Sequence, residues 1–414
     1  MFLDLLDEVA LVTGILTKGV SLYLLIMCLF FKWPKKAQEE PTEKMSFACV
    51  IPARNEELVV GRLVKSLLEQ DYPSDLIKVF VIPNNCTDKT EEAARKAGAE
   101  IISVRGHVSN KGEVLHQALG QLMLRDDIDA FLIFDADNIV DRGYMKAMNR
   151  AFFNGAQVTK SRIEAKNPYE SWVSECYALY YDIFNLFFNE SRSRIGIAPK
   201  LIGTGLGIRR DLLLSMGGWN TVTIAEDTEL NAECVHEHAI IRWVPDAVTY
   251  DEAPERFGQS LKQRRRWVGG IMAVAREKLA GLVTDIKDLS HGRQTLDMLV
   301  ILILPYFQVI SLIPTGFLLG SVIYTYGFPL CLLTIACYIG ASLAGLMLFG
   351  LILSILSPHS TRSMKKSIIM FPVFTISWLP LCIMAMFRGS GTWAEIKHTG
   401  SISSVTIRYT GTEA

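Results

Sequence analysis

Two long apolar stretches constrain this chain more than anything else in it. From Leu11 to Phe31 the sequence is apolar except for Lys18, and from about Leu296 to Phe387 it is almost continuously apolar, broken by YTYGFP and SPHSTRSMKK. Roughly 20 apolar residues cross the hydrocarbon layer of a bilayer. Residues 1–33 are therefore expected to be a transmembrane anchor, residues 296–388 a set of spans near 298–321, 328–356 and 367–387, and residues 389–414 a tail. The first stretch reads as an anchor and not a removable signal: Asp4, Asp7 and Glu8 stand where a signal is basic, and no small-residue cleavage site follows. Lys32, Lys35 and Lys36 come directly after it and assign that end to the cytoplasm. Lys18 is read as a snorkelling side chain.

The rest of the composition excludes more than it proposes. With 42 basic and 43 acidic residues the net charge is −1, so no global field points to nucleic acid. The eight cysteines form no C-x-x-C, and Cys28, Cys331, Cys337 and Cys382 lie in or beside apolar spans, as expected of reduced thiols in a cytoplasmic compartment.

Between the apolar stretches, residues 45–255 alternate strand and helix patterns. SFACVIPARNE is a buried strand running into a polar turn, followed by a helix bearing Leu58, Val59, Leu63, Leu67 and Leu68. IKVFVIPNNCTD repeats the plan, AEIISV is a third strand, GEVLHQALGQLML a helix and DAFLIFDAD a fourth strand. This order predicts an α/β domain with a parallel, doubly wound sheet, whose ligands bind at the carboxyl ends of the strands. PARNE, PNNCTD and DADN all fall at those ends. Asp135 and Asp137, spaced one apart at the end of an apolar strand, can aim two hard oxygen donors at one divalent cation, although such a pair also serves as an ordinary turn.

Three further signals follow: glycines 203, 205 and 207 in IGTGLGIRR, Glu226 and Asp227 in IAEDTEL, and QRRRW from Gln263 to Trp267. In this order with FDADN, and with IPARNE, NNCTD and NKG before it, the region from about 46 to 290 resembles the family 2 glycosyltransferases. The resemblance is to members with an A-type nucleotide-sugar-binding fold, in particular the membrane-embedded synthases of cellulose, hyaluronan and poly-N-acetylglucosamine and bacterial exopolysaccharide transferases. Q-x-x-R-W is the most specific of the matching pieces.

The resemblance implies an inverting transfer from a nucleotide diphosphate sugar, read as UDP-linked, with Mg2+ or Mn2+ as cofactor. Asp137 would bind the metal bridging the diphosphate and Asp135 would contact the ribose or the metal shell. Arg266, with Arg264 or Arg265 assisting, would neutralise the leaving group, because a guanidinium fork suits phosphate oxygens, and Lys111 of NKG is a further diphosphate candidate. Asp227 is the candidate general base, with Glu226 beside it raising its pKa. Trp267 would offer a stacking face to the acceptor and Gln263 orienting hydrogen bonds, with Gly203, Thr204 and Gly205 on the acceptor side. Pro52, Arg54 and Glu56 would line the nucleotide pocket. Asn84, with Asn85 and Asp88 nearby, stands where relatives carry a uracil-reading aspartate, which weakens the case for uridine.

Residues 256–295 alternate basic and apolar segments, as amphipathic helices on a bilayer surface do, so membrane lipids are expected neighbours of the cleft. The leading expectation is a multi-pass protein of the bacterial inner membrane with a cytoplasmic catalytic domain. It would extend a glycan, processively and coupled to export, with accessory export subunits as further partners. Single addition to a lipid-linked acceptor is the alternative, and a non-catalytic sugar-binding membrane protein a third reading. His236 and His238, at i and i+2 around Glu237, do not share a helical face and are not read as a zinc site. The aromatic run from Tyr177 to Phe188 reads first as a packed helix and second as an acceptor-facing surface. The basic STRSMKK loop is expected to be cytoplasmic; the side of the tail, and whether the stretch near Pro305 spans or re-enters, stay open.

Overall fold

The computed structural model describes residues 2–35, 37–287, 292–356 and 365–389. The basic loop's residues up to 364 and the tail from 390 onward lie outside them, so the expectations placed there have no structural counterpart.

The strands are β1 (Phe47–Ala53), β2 (Ile77–Pro83), β3 (Glu100–Ile101), β4 (Ala130–Ile133), β5 (Ile139–Val140), β6 (Val158–Ala165), β7 (Leu206–Arg209) and β8 (Ile241–Asp251). They form one sheet in the order β3-β2-β1-β4-β7-β6-β8-β5. β1, β2, β3 and β4 run parallel, and β1 and β4 are wholly apolar on both faces because helices cover both. Helix Lys111–Leu122 packs Val114, Leu115 and Ala118 on one face, while Val60–Leu68 and Tyr144–Phe153 cover the other.

The expected parallel-rich sheet is present, and its second half adds antiparallel pairings. β7 runs antiparallel to β4 and to β6, and β5 antiparallel to β8, while β6 and β8 are parallel. This matters for the site. An antiparallel β7 begins where β4 ends, with Ile133 opposite Leu206, so the turn at 203–205 emerges beside the Asp-x-Asp turn.

Four apolar stretches are long enough to cross a membrane: Glu8–Lys32, Gly292–Tyr326, Phe328–Leu356 and Ser367–Phe387. Their outer faces carry exposed Leu11, Ile15, Leu25, Leu333, Ile352 and Ile369, the arrangement lipid requires of a spanning helix. Two of these stretches are interrupted. Gly292–Ile310 gives way to Leu312–Tyr326 at Ser311, with Pro305 inside the first helix, and Lys365–Ile376 gives way to Trp378–Arg388 at Ser377. The segment expected at the bilayer surface contains a single 29-residue helix, Phe257–Asp285, packed between helix Glu226–His236 and helices Gly292–Ile310 and Trp378–Arg388.

The aromatic run is helical but changes character along its length. Trp172–Asp182 is α-helical with a Ser171/Ser174 capping box, and Ile183–Glu190 continues as a π-helix. Just beyond it, Arg192 reaches Asp297 through Nε at 2.8 Å and Nη2 at 3.0 Å, and Tyr23 Oη donates to Asp297 Oδ1 at 2.6 Å. The first apolar helix, the short helix that continues the aromatic run and the second apolar stretch thus meet at one buried ion pair.

Candidate functional site

The Asp-x-Asp turn is shaped by a buried side chain that follows it. Asn138, fully buried, accepts from the backbone N–H of Asp135 at 3.1 Å and donates through Nδ2 to Asp251 Oδ1 at 2.8 Å. The Thr204 hydroxyl donates to the same Asn138 oxygen and also accepts from Asp135 N. Gly203 and Gly205 hold positive φ, 34° and 63°, and a Cβ on Gly205 would collide with the Ser161 and Thr249 hydroxyls. Two turns that sequence reading treated as separate motifs are therefore one hydrogen-bonded unit.

A lysine joins that unit to the acidic pair. Lys111 opens its helix behind the Asn110 cap, whose side chain accepts from Glu113 N at 2.9 Å. Its Nζ donates to Asp135 Oδ1 at 2.6 Å and to the Gly203 carbonyl at 2.7 Å, and lies 3.3 Å from Glu226 Oε1. Asp227 accepts from the backbone N–H groups of Gly203 and Thr228, the latter at 2.6 Å. Glu226 and Asp227 occupy the first turn of helix Glu226–His236, where the helix dipole favours negative charge. Asp135, Lys111, Gly203, Glu226 and Asp227 thus converge. Burial pushes Glu226 up to about 7 against the pull of Lys111, with Asp227 and Asp135 adding to the rise. Glu226 is the more buried of the two acids.

The nucleotide-side residues lie at the ends of β1 and β2. Pro52 is in register with Ile82, and Arg54 and Glu56 follow in the turn after β1. Asn84 Nδ2 donates to Ala53 O at 3.1 Å, which ties its side chain to the turn after β1. Asn85, with φ 48°, donates to Val108 O at 2.8 Å and so ties the turn after β2 to the loop leading into Lys111.

The QRRRW segment divides its labour. Arg264 is fully buried and turned toward the last membrane stretch: Nη1 donates to Phe374 O at 2.8 Å, Nε to Ser260 Oγ at 3.0 Å, and its guanidinium lies 4.2 Å from the Phe374 ring. The expectation that it assists at the diphosphate is corrected; it fastens helix Phe257–Asp285 to the break at Ser377. Arg266 is half-buried and has no hydrogen-bond or ion-pair partner among the described residues. Gln263 Oε1 accepts from Tyr177 Oη at 2.8 Å. Trp267 stacks on Tyr180 at 6.1 Å and 14° and on Trp378 at 6.4 Å and 26°, so the aromatic run serves as the shelf beneath it.

Several polar groups at this site escaped the sequence reading. Lys160 on β6 is fully buried, donates to Thr204 O at 2.6 Å and Ser161 O at 3.0 Å, and is pushed down to about 7 by burial, against Asp227, Asp251 and Asp135. Asp251, at the end of β8, accepts from Asn138 and from Tyr181 Oη at 2.6 Å, and burial raises its pKa. The available signals were a lysine inside the strand pattern VTKSRIEA and an acid ending the run IRWVPDAVTYD. His236, by contrast, pairs with Asp285 at 2.7 Å.

A divalent cation fits the donor set. Asp135 keeps Oδ2 beyond the grip of Lys111, with its side chain 40% exposed, and Asp137 lies two residues along the same turn. Two carboxylates leave most positions of Mg2+ or Mn2+ to phosphate and water oxygens. No group of three or more His, Cys, Asp or Glu that could hold a metal occurs among the described residues, so a bound cation would lean on the phosphates of a ligand. A hollow of about 390 Å³, lined by Asn110, Glu113, His116, Asn220, Thr221 and Val222, opens at the start of the Lys111 helix, and its lining includes none of Asp135, Asp137, Glu226 and Asp227. A second, of about 430 Å³ and including Met45, Asp129 and Arg209, lies at the opposite ends of the strands and touches none of these acids.

An A-type nucleotide-sugar fold with this turn and this acid pair, joined to four apolar stretches long enough to cross a membrane, fits a glycosyltransferase. Residues 44–270 match "Glycosyltransferase like family 2", and the chain belongs to that family. It is similar to the probable glycosyltransferase YdaM of Bacillus subtilis, 26% identical over 256 residues, covering 60% of each chain. It is also similar to the beta-monoglucosyldiacylglycerol synthase of Nostoc sp., 27% identical over 297 residues, 69% of this chain and 61% of that one. To the UDP-forming cellulose synthase catalytic subunit of Pseudomonas fluorescens it is 24% identical over 279 residues, 62% of this chain and 36% of the other. The chain thus spans about 60% of the length of the first curated relatives it matches. Among solved structures, the mannosyltransferase PcManGT of Pyrobaculum calidifontis, in complex with GDP-Man and Mn2+, aligns with a TM-score of 0.64 at 16% identity, over 92% of this chain and 99% of that one. That likeness establishes the shared fold.

Proposed function

We propose that this chain is a multi-pass, inverting glycosyltransferase with its catalytic domain on the cytoplasmic face of a bacterial membrane, moving one sugar from a UDP-linked donor to a membrane lipid. The observation that carries the reading is the convergence of Asp135, Lys111, Gly203, Glu226 and Asp227 at one strand end, beside helix Phe257–Asp285, which bears Arg266 and Trp267. A sugar nucleotide delivers a diphosphate whose departure concentrates negative charge, and fixed cations in a desolvated cleft meet that charge. Mg2+ or Mn2+ held by Asp137 and Asp135 would supply Lewis-acid neutralisation of the diphosphate. Arg266 would bind the leaving oxygens. Lys111 would hold Asp135 in place and lend its charge to the same group. Asp227, anchored by two backbone N–H groups, would take the proton of the attacking hydroxyl, and one displacement with one base inverts the anomeric carbon. Glu226, with its raised pKa, would keep the base region from carrying two full negative charges. Pro52, Arg54, Glu56, Asn84 and Asn85 would line the nucleoside end; Gly203, Thr204, Gly205, Gln263 and Trp267 would face the acceptor.

The lipid acceptor is favoured by the aromatic shelf: Trp267 shares its stack with Trp378, which a membrane stretch supplies. Two of the relatives with the widest coverage are lipid glucosyltransferases by name. Processive synthesis of a glycan coupled to export, with accessory subunits, is the second reading, supported by the likeness to cellulose synthases. Membranes bearing the protein are to be incubated with labelled sugar nucleotides and Mn2+ or Mg2+, with the product separated by size and solvent. A single-sugar, organic-soluble product is expected; a hydrolase-sensitive polymer would favour the second reading. Asp227→Asn should lower turnover by about 10²–10⁴-fold, and equal nucleotide release by both proteins would reject the base assignment.

A further inference from the structure

Three lysines feel the charge of Asp227, the half-buried Lys111 and the buried Lys160 and Lys200. Two of them are satisfied. Lys111 holds Asp135 and the Gly203 carbonyl, and Lys160 holds two backbone carbonyls. Lys200 is different. It is only 7% exposed, and its Nζ has no hydrogen-bond or ion-pair partner among the described residues; it lies over the Phe184 ring, 5.6 Å from the centroid. A buried ammonium without a counter-ion is costly, and a cation–π contact offsets only part of that cost. Its position is nonetheless fixed. Asn189 of the π-helix accepts from Lys200 N at 2.9 Å, and Asn231 of helix Glu226–His236 accepts from Leu201 N at 3.2 Å. Burial pushes Lys200 down to about 8, with Asp227 opposing the fall and Arg192 deepening it.

The surroundings say which side of the reaction this lysine serves. The donor-side carboxylate, Asp135, is already held by Lys111. Lys200 instead adjoins the aromatic shelf: Phe184 packs on Tyr180 at 4.8 Å, and Tyr180 stacks on Trp267. In the other direction Phe184 packs on Phe188 at 5.1 Å, Phe188 lies 3.8 Å under the Arg192 guanidinium, and Arg192 leads through Asp297 to Tyr23 in the first apolar helix. The lysine therefore sits along the aromatic path from Trp267 to the first apolar helix, and its neighbour Leu201 is tied to the helix that Glu226 and Asp227 open.

We propose that Lys200 binds an anionic group of the acceptor, so that the lipid glycosylated here carries a phosphate next to its nucleophilic hydroxyl. The proposal rests on the transferase reading above and narrows its acceptor. In the transfer, the lipid hydroxyl oxygen bonds to the anomeric carbon and its proton passes to Asp227. The bond from that carbon to the diphosphate breaks, and its electron pair leaves with the diphosphate. The lipid phosphate stays intact, paired with Lys200.

The test uses the full chain in phosphatidylcholine vesicles, with the nucleotide sugar it turns over. Three acceptors are offered: phosphatidylglycerol, with phosphate and hydroxyls; diacylglycerol, with a hydroxyl and no phosphate; and soluble glycerol phosphate, with both groups and no lipid. A charge-assisted contact supports at least about tenfold discrimination. The wild type should prefer phosphatidylglycerol over diacylglycerol in kcat/KM by that factor. Lys200→Met should abolish the preference, and Lys200→Arg should retain most of it. An equal or reversed preference in the wild type, an unchanged one in Lys200→Met, or no product from phosphatidylglycerol would overturn the proposal. Glycerol phosphate used as well as phosphatidylglycerol would overturn its lipid part. Nucleotide release without lipid product leaves the transferase reading standing and removes only the acceptor assignment, whereas a wild type that consumes no nucleotide sugar removes both.

Discussion

Lys111 shows how one side chain can organise a site from the edge of it. Its ammonium touches a carboxylate after β4, a carbonyl before β7 and a carboxylate opening helix Glu226–His236, three segments far apart in sequence. Lys111→Met should therefore lower kcat/KM for the donor by roughly 10–100-fold, the worth of one or two charge-assisted hydrogen bonds, in steady-state assays at fixed acceptor. Glu226 gives a pH signature with a definite sign. Its folded-state pKa is raised from 4.5 to about 7, so the folded protein binds the proton more tightly than the unfolded chain. This contribution to stability is fully present below about 4.5 and is lost as pH rises through about 7. Thermal melts of the ligand-free protein from pH 5 to 8 should show that loss in the wild type and a flatter profile in Glu226→Gln. Identical profiles would remove Glu226 as a group titrating near neutrality. Sequence pattern identified both residues as candidates, yet it could not give the raised pKa of Glu226, because that depends on burial set by the packing of distant segments.

At the scale of elements, membrane and catalytic parts are joined by two fastenings. One is Arg264, which bonds the carbonyl of Phe374 near the break at Ser377; the other is the Arg192–Asp297 pair with Tyr23. Arg192 and Asp297 are 1% and 2% exposed in their side chains. Asp297→Ala leaves a buried guanidinium without its counter-charge and should cost about 3–5 kcal/mol, whereas replacing both partners by leucine should cost much less. Denaturation in detergent distinguishes the two, and equal losses would contradict a buried pair. At the turn at 203–205, Gly205→Ala should abolish activity and lower the melting temperature, since φ of 63° and the Ser161 and Thr249 hydroxyls both oppose a side chain there. The π-helical segment Ile183–Glu190 supplies Asn189 and Phe184 to the surroundings of Lys200, a placement that a continued α-helix would rotate away. Periodicity announced a helix here and could not announce the change of hydrogen-bond register.

For the whole molecule, the strand–helix alternation and the motif order were enough to read the A-type domain, and the apolar stretches emerge as helices long enough to cross a membrane. The antiparallel β7 was not legible, because LGIRR carries the same alternation whichever way the strand runs, and its direction follows from where the preceding loop returns. For the same reason Asn138, Asp251 and Lys160 escaped notice: each is a polar residue in an ordinary strand or turn pattern until the sheet brings them together. In the proposed reaction these separate acids and cations meet at one nucleoside diphosphate. The most direct measurement is calorimetric binding of UDP and GDP, with and without Mn2+, to the wild type, Asp137→Asn and Asp227→Asn. Mn2+ should strengthen binding of one nucleotide by at least about tenfold, on the order of one metal–phosphate interaction, in the wild type and Asp227→Asn but not in Asp137→Asn. Nucleotide affinity indifferent to the metal and to Asp137 would contradict the account.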